Sequence, residues 1–175
     1  LLDNPELTVQ ELSKIVLAPD FPTGGIIFGY DGVREAYKTG RGRILIRAKA
    51  EIEEHNQHQL IVITEIPYGV NRAELIKDIA QLVVDKKIDG IANINDESDR
   101  DGMRIVVTLK SDANGNVVLN KLYKMTAMQS SFSVNNVALV NGRPRTLNLK
   151  ELLQSFNDHR REVVTRRTEF QLRKA

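Results

Sequence analysis

Arg43-Ile44-Leu45-Ile46-Arg47-Ala48-Lys49-Ala50-Glu51-Ile52-Glu53 decides how this chain folds, together with the partner that follows it, Leu60-Ile61-Val62-Ile63-Thr64-Glu65-Ile66. In the first stretch Ile44, Ile46, Ala48, Ala50 and Ile52 fall on one side. Arg43, Leu45, Arg47, Lys49, Glu51 and Glu53 fall on the other. A two-residue period of this kind places successive side chains on opposite faces of a strand. It predicts a half-buried strand over 43–53 with a basic outer face. The polar turn His55-Asn56-Gln57-His58 then returns the chain into a β-rich strand over 60–66, so the pair reads as a hairpin that Pro67 ends.

Working outward, Asn71 can cap a helix in which Glu74 stands three residues on and Leu75, Ile76, Ile79, Leu82 and Val83 form an apolar stripe. That helix is expected to close at Asp89-Gly90. Strands over 91–95 and 103–109 flank the acidic turn 96–102. A helix over 117–125 and a hairpin turning on Asn141-Gly142 come next. On the other side of the opening hairpin, Thr8 and Glu11 have capping-box spacing before Val9, Leu12, Ile15 and Val16, which predicts a helix ending near Leu17. Pro19 and Pro22 exclude regular structure across 18–23. Residues 25–29 then read as a brief buried strand and 31–38 as a two-turn helix. Strand, helix, strand, strand is the order of an α+β fold with helices packed on one face of an antiparallel sheet.

The closing segment is different. From Asn148, with Glu151 at capping-box distance, Leu149, Phe156, Val163 and Phe170 recur every seven residues. His159, Arg166 and Arg173 take the companion seam positions, so the apolar stripe is narrow and the helix needs a partner helix. No Gly, Asn or Pro stops it before Ala175, and the chain opens on Leu1-Leu2-Asp3; both ends are expected to be cut points in a longer parent. A length of 175 residues with 41% hydrophobic content suits one sizeable core and an appendage. There is no cysteine, no apolar run of bilayer-spanning length and no charged-then-apolar leader, from which a soluble cytoplasmic protein is expected. The formal net charge of +2 means that attraction to nucleic acid would have to come from local patches.

One such patch is Thr39-Gly40-Arg41-Gly42-Arg43, where two glycines allow close backbone approach and two arginines can grip phosphate oxygens. Arg47 and Lys49 continue the charge along the outer strand face. Arg41, Arg43, Arg47 and Lys49 are therefore the candidate DNA-backbone contacts, against the simpler reading of a glycine turn leading into a solvated strand. The basic residues His159, Arg160, Arg161, Arg166, Arg167, Arg173 and Lys174 surround the last helix and suit a solvated face. The turn Glu97-Ser98-Asp99-Arg100-Asp101-Gly102 lacks the late bidentate acid of a calcium loop, since Thr108 stands there. His55 and His58 have no third ligand, and no metal is proposed. Tyr30, Tyr37, Tyr68 and Tyr123 sit in no cluster that would activate a nucleophile, and neither a Ser-His-Asp set nor a Walker loop is present.

Several ordered stretches resemble the breakage-reunion chain of bacterial type IIA topoisomerases, the A subunits of DNA gyrase and topoisomerase IV. They are Pro19-Asp20-Phe21-Pro22-Thr23, Glu35-Ala36-Tyr37-Lys38-Thr39-Gly40-Arg41-Gly42, Glu65-Ile66-Pro67-Tyr68, Asp96-Glu97-Ser98-Asp99-Arg100-Asp101-Gly102-Met103-Arg104 and His159-Arg160-Arg161-Glu162-Val163-Val164-Thr165-Arg166-Arg167. The resemblance covers essentially the whole chain, and the last motif leans toward the gyrase branch, with topoisomerase IV as the alternative. It implies a tower α+β domain over 1–147 and the start of a long coiled-coil arm over 148–175.

The same resemblance implies a parent that is an ATP-dependent topoisomerase, cutting one duplex through a tyrosine, passing another and resealing. That tyrosine belongs to an upstream region of the family, so no catalytic residue is carried over. Magnesium and ATP belong to the companion chain, the gyrase B subunit in the gyrase branch, so this segment is expected to hold no cofactor. The implied partners are double-stranded DNA, the gyrase B subunit, plus a second copy of the A chain in an A2B2 complex, with no membrane. A different class stays open: a non-enzymatic protein-interaction module whose basic helix recruits a partner and whose sheet never meets DNA. A stand-alone nucleic-acid-binding α+β domain is disfavoured, because the sheet lacks the exposed aromatic pairs used to stack single-stranded bases.

Overall fold

The computed structural model describes residues 1–56 and 58–174; Gln57, expected in a turn, and Ala175, expected in the last helix, lie outside the described residues. The elements follow in the order α1 (Val9–Leu12), β1 (Ile26–Ile27), α2 (Asp31–Thr39), β2 (Arg41–Arg47), β3 (Lys49–His55), β4 (His58–Glu65), α3 (Arg72–Val84), β5 (Ile91–Asp96), β6 (Ile105–Leu109), α4 (Gly115–Met125), β7 (Gln129–Asn135), β8 (Val137–Val140), β9 (Arg143–Thr146) and α5 (Leu149–Lys174). The fold is α+β with antiparallel sheets and a long C-terminal helix, as the patterning predicts. The chain divides into two compact units. One comprises residues 1–19, 30–44 and 133–175, the other residues 20–29 and 45–132.

The second unit holds the main core. Its four-stranded sheet runs β3-β4-β6-β5, with Ile61 of β4 opposite Ile52 on one side and Val107 on the other. This register puts Ile61, Ile63, Ile105, Val107 and Leu109 on one face, where Leu75 and Ile79 of α3 and Val118 and Leu122 of α4 close over them. Burying such side chains is worth about 1.5–3 kcal/mol each, which makes this layer the main stabiliser of the unit. Both helices start where the sequence allows. The Asn71 side chain accepts from the Glu74 amide at 3.2 Å, and Asn114 accepts from the Asn116 and Val117 amides. The opposite face carries the buried Val62–Val106 pair between β4 and β6, and Arg104 of the β5–β6 connection bridges Glu97 at 3.2 Å and Glu53 of β3 at 3.4 Å, spanning the central strand β4.

The first unit is smaller in its core. Val33, Ala36 and Tyr37 of α2 are buried, as are Leu12, Leu147 and Leu149. Here α5 meets α1 and α2 near its start, and every residue from Asp158 to Lys174 is exposed. The capping box of α5 forms as expected: Asn148 accepts from the Glu151 amide and Glu151 accepts from the Asn148 amide, both at 2.9 Å. Among the described residues no helix is long and apolar enough to cross a membrane.

Several local expectations need correction. The single strand over 43–53 is two strands, because at Ala48 the chain passes from the sheet β1-β2-β7 into the four-stranded one. The Ala48 amide donates to the Met128 carbonyl at 2.7 Å and its carbonyl accepts from the Tyr123 hydroxyl at 2.9 Å. The inward alternation runs on unbroken through this change, so periodicity alone cannot register it. Helix α1 is one turn, with Ile15 and Leu17 exposed, and α3 ends at Val84, ahead of Lys86 in the left-handed region at φ 55°. Strand β1 is not buried, Ile26 being half exposed. Strand β7, Gln129–Asn135, has no counterpart in the sequence reading; its polar Gln129-Ser130-Ser131-Phe132-Ser133 gives little apolar signal.

Candidate nucleic-acid interface

The glycine-arginine turn is built by close backbone packing. Helix α2 ends at Gly40, whose φ of 79° lies in the left-handed region and whose amide donates to the Ala36 carbonyl at 2.8 Å. The Thr39 hydroxyl donates to the Arg41 carbonyl at 2.8 Å and accepts from the Arg41 amide at 3.1 Å, fixing the first residue of β2. Gly32 and Gly42 let α2 lie directly on β2: a Cβ on Gly32 would overlap the Arg43 carbonyl, and one on Gly42 would come within 2.5 Å of the Gly32 carbonyl. The Gly40 carbonyl accepts from the Asn136 amide at 2.8 Å, and the Asn136 carbonyl from the Leu147 amide at 2.9 Å. The turn is thus held on both sides by backbone.

On this frame Arg41 and Arg43 point outward from the first unit, both exposed, while the next residue, Ile44, is buried. Among the described residues neither guanidinium has an ion-pair partner, so both are available to an anion. The β8–β9 hairpin adds two exposed cations to the same unit, Arg143 and Arg145. In the sequence they follow the Asn141-Gly142 turn signal, and their i, i+2 spacing on a strand is the pattern that singles out Arg41 and Arg43.

Arg47 and Lys49 belong to the second unit and differ from that pair. The Arg47 guanidinium carbon stands 3.4 Å from the Phe28 ring centroid and 4.8 Å from that of Tyr123, and its Nε donates to Gln129 Oε1 at 2.7 Å. Burial pushes the Tyr123 phenol above its ordinary value, and the Arg47 charge opposes that shift. The Lys49 Nζ lies 3.9 Å from Glu65 Oε1. Glu65 also accepts from the Gly25 amide at 2.5 Å, tying the 20–25 loop to the end of β4. Beyond Lys49 the outer side of the strand changes sign: Glu51 and Glu53 follow, and Glu53 already pairs with Arg104. Hydrogen bonds to Glu53 and Glu97 raise the Arg104 guanidinium further above its ordinary value.

Among the described residues no group of three or more His, Cys, Asp or Glu could hold a metal ion. The 96–102 turn is stabilised internally: Asp99 accepts from the Asp101 and Gly102 amides, and Ser98 from the Arg104 amide.

An α+β fold with antiparallel sheets and a long C-terminal helix matches the fold class that the sequence motifs imply, and the chain belongs to the DNA gyrase/topoisomerase IV A-subunit family, whose profile matches residues 1–175. It is similar to the DNA gyrase A subunits of Clostridium acetobutylicum, 57% identical over 176 residues, and of Pseudomonas aeruginosa, 58% identical over 178 residues. That of Halalkalibacterium halodurans is 57% identical over 175 residues. Each match takes in 100% of this chain but only 19% to 21% of the relative, so the chain spans about a fifth of the length of the proteins it matches.

Proposed function

We propose that this chain is the tower segment and the root of the coiled-coil arm of the A chain of a type IIA topoisomerase, of the gyrase branch, and that it supports duplex DNA without itself cutting it. The observation that carries this reading is the exposed Arg41-Arg43 pair, free of ion-pair partners among the described residues and mounted on a rigid glycine-packed turn, within a chain 57% identical along its whole length to a DNA gyrase A subunit. Phosphate contacts of this kind position a duplex without reading its sequence. The parent would break, pass and rejoin DNA in the cytoplasm, as an A2B2 complex in which the B chain carries magnesium and ATP. On this reading residues 1–147 form the tower and 148–175 the arm. The exposed Phe156, Val163 and Phe170 of α5 then await the returning helix of that arm.

The test is charge reversal. Arg41→Glu with Arg43→Glu in the full-length parent is expected to weaken duplex binding by on the order of tenfold at low salt, with the gap closing as salt rises. Unchanged binding and unchanged supercoiling would favour the protein-interaction module, in which the sheet never meets DNA.

A further inference from the structure

We propose that Arg47, set between Phe28 and Gln129, is a preformed seat for a single phosphodiester group, and that it holds this group by the shape of its guanidinium fork more than by charge. The proposal rests on the DNA-contact reading above. Three observations carry it. The guanidinium is held from two directions, since its central carbon stands 3.4 Å from the Phe28 ring centroid and the Nε–H donates to Gln129 at 2.7 Å. Its two terminal nitrogens have no acceptor among the described residues and are not fully buried, which leaves four N–H groups without a protein acceptor there. No carboxylate lies within ion-pair distance of it among the described residues, whereas Lys49 two residues on is paired with Glu65.

A planar fork whose ordering cost has been met in the free protein matches two phosphate oxygens bidentately, and an ammonium on a flexible stem does not. Arg41 and Arg43 lack both the ring and the side-chain acceptor, so they act as charges on a surface. The four cations therefore divide into one shaped seat and three plain charges.

Duplex binding by the full-length parent, followed with a fluorescein-labelled linear duplex across a salt series, separates the two kinds. Arg47→Lys is expected to lose as much affinity as Arg47→Ala, on the order of tenfold, while Lys49→Ala changes binding less. Phe28→Leu keeps every charge and the apolar bulk, and is expected to weaken binding several-fold by freeing the fork. It also serves as the second variant should Arg47→Ala fail to fold. Wild-type affinity in Arg47→Lys or in Phe28→Leu overturns the seat while leaving a DNA contact through charge intact. A lowered melting temperature in Arg47→Ala with unchanged affinity shows a structural tie alone, and also overturns it. If the Arg41-Arg43 reversal binds like wild type as well, the DNA-contact reading itself has failed.

Discussion

At the scale of single residues, the turn that presents Arg41 and Arg43 depends on atoms that are missing. Gly32 and Gly42 face one another across the α2–β2 contact, and the obstacle to a side chain at either is backbone, which cannot rotate aside. Gly32→Ala should therefore destabilise the chain by about 1–3 kcal/mol, the usual cost of overpacking, or more if the helix must lift. Urea unfolding monitored by circular dichroism measures it, and a loss under about half a kcal/mol would mean that α2 can shift freely on the strand. Gly69, with nothing within 4 Å of its added Cβ, sits beside no such obstacle. The sequence shows the two arginines plainly, because cations flanking glycines stand out in any reading. It does not show that Arg47 lies under Phe28, since residues 28 and 47 are brought together by the pairing of Ile26 with Arg47 and Ile27 with Ile46 and by the Phe28 amide donating to the Leu45 carbonyl.

At the scale of elements, the β5–β6 connection offers a pH test. Hydrogen bonding from the Ser98 side chain holds the Asp96 carboxyl below its ordinary value, opposed by burial and helped to a lesser degree by the Ser98 backbone amide and the Arg72 charge. A carboxyl depressed in the folded state adds stability above its unfolded value, and that contribution is lost as pH falls through the folded one. Ser98→Ala should thus be less stable than wild type at about pH 7, with the difference shrinking toward about pH 3. Melting temperatures across that range decide it, and a difference independent of pH would assign the effect to the turn backbone. The capping boxes of α1 and α5, the Asn71 cap and the Asn141-Gly142 turn were all legible, because each is a local rule satisfied within four residues. The break at Ala48 and strand β7 were not. What redirects the chain at Ala48 is Met128 and Tyr123, about eighty positions away.

At the scale of the whole molecule, stability is distributed unevenly. The buried layer gathers on β4 and β6, whereas the last seventeen residues of α5, 158–174, bury nothing. An isolated helix of that kind is marginal in water. Hydrogen exchange on the 175-residue chain should find the amides of β4 and β6 slowest and those of the second half of α5 among the fastest. Uniform protection along α5 would show that the exposed stripe has found a partner, such as a second copy. The α+β class followed from the order of elements, and the long helix from its seven-residue stripe. The division into two units was illegible, since residues 30–44 and 133–175 join one unit without any shift of composition to announce it.

That interleaved path also governs how the chain carries mechanical load. Residues 1–19 and 133–175 share a unit, and α1 touches α5 directly. Tension between α1 and α5 can therefore be borne within the first unit, without running along the covalent path through residues 45–132. In a segment proposed to support duplex DNA, the four-stranded sheet, with Lys49 on its strand β3, would keep its shape while the arm is being pulled.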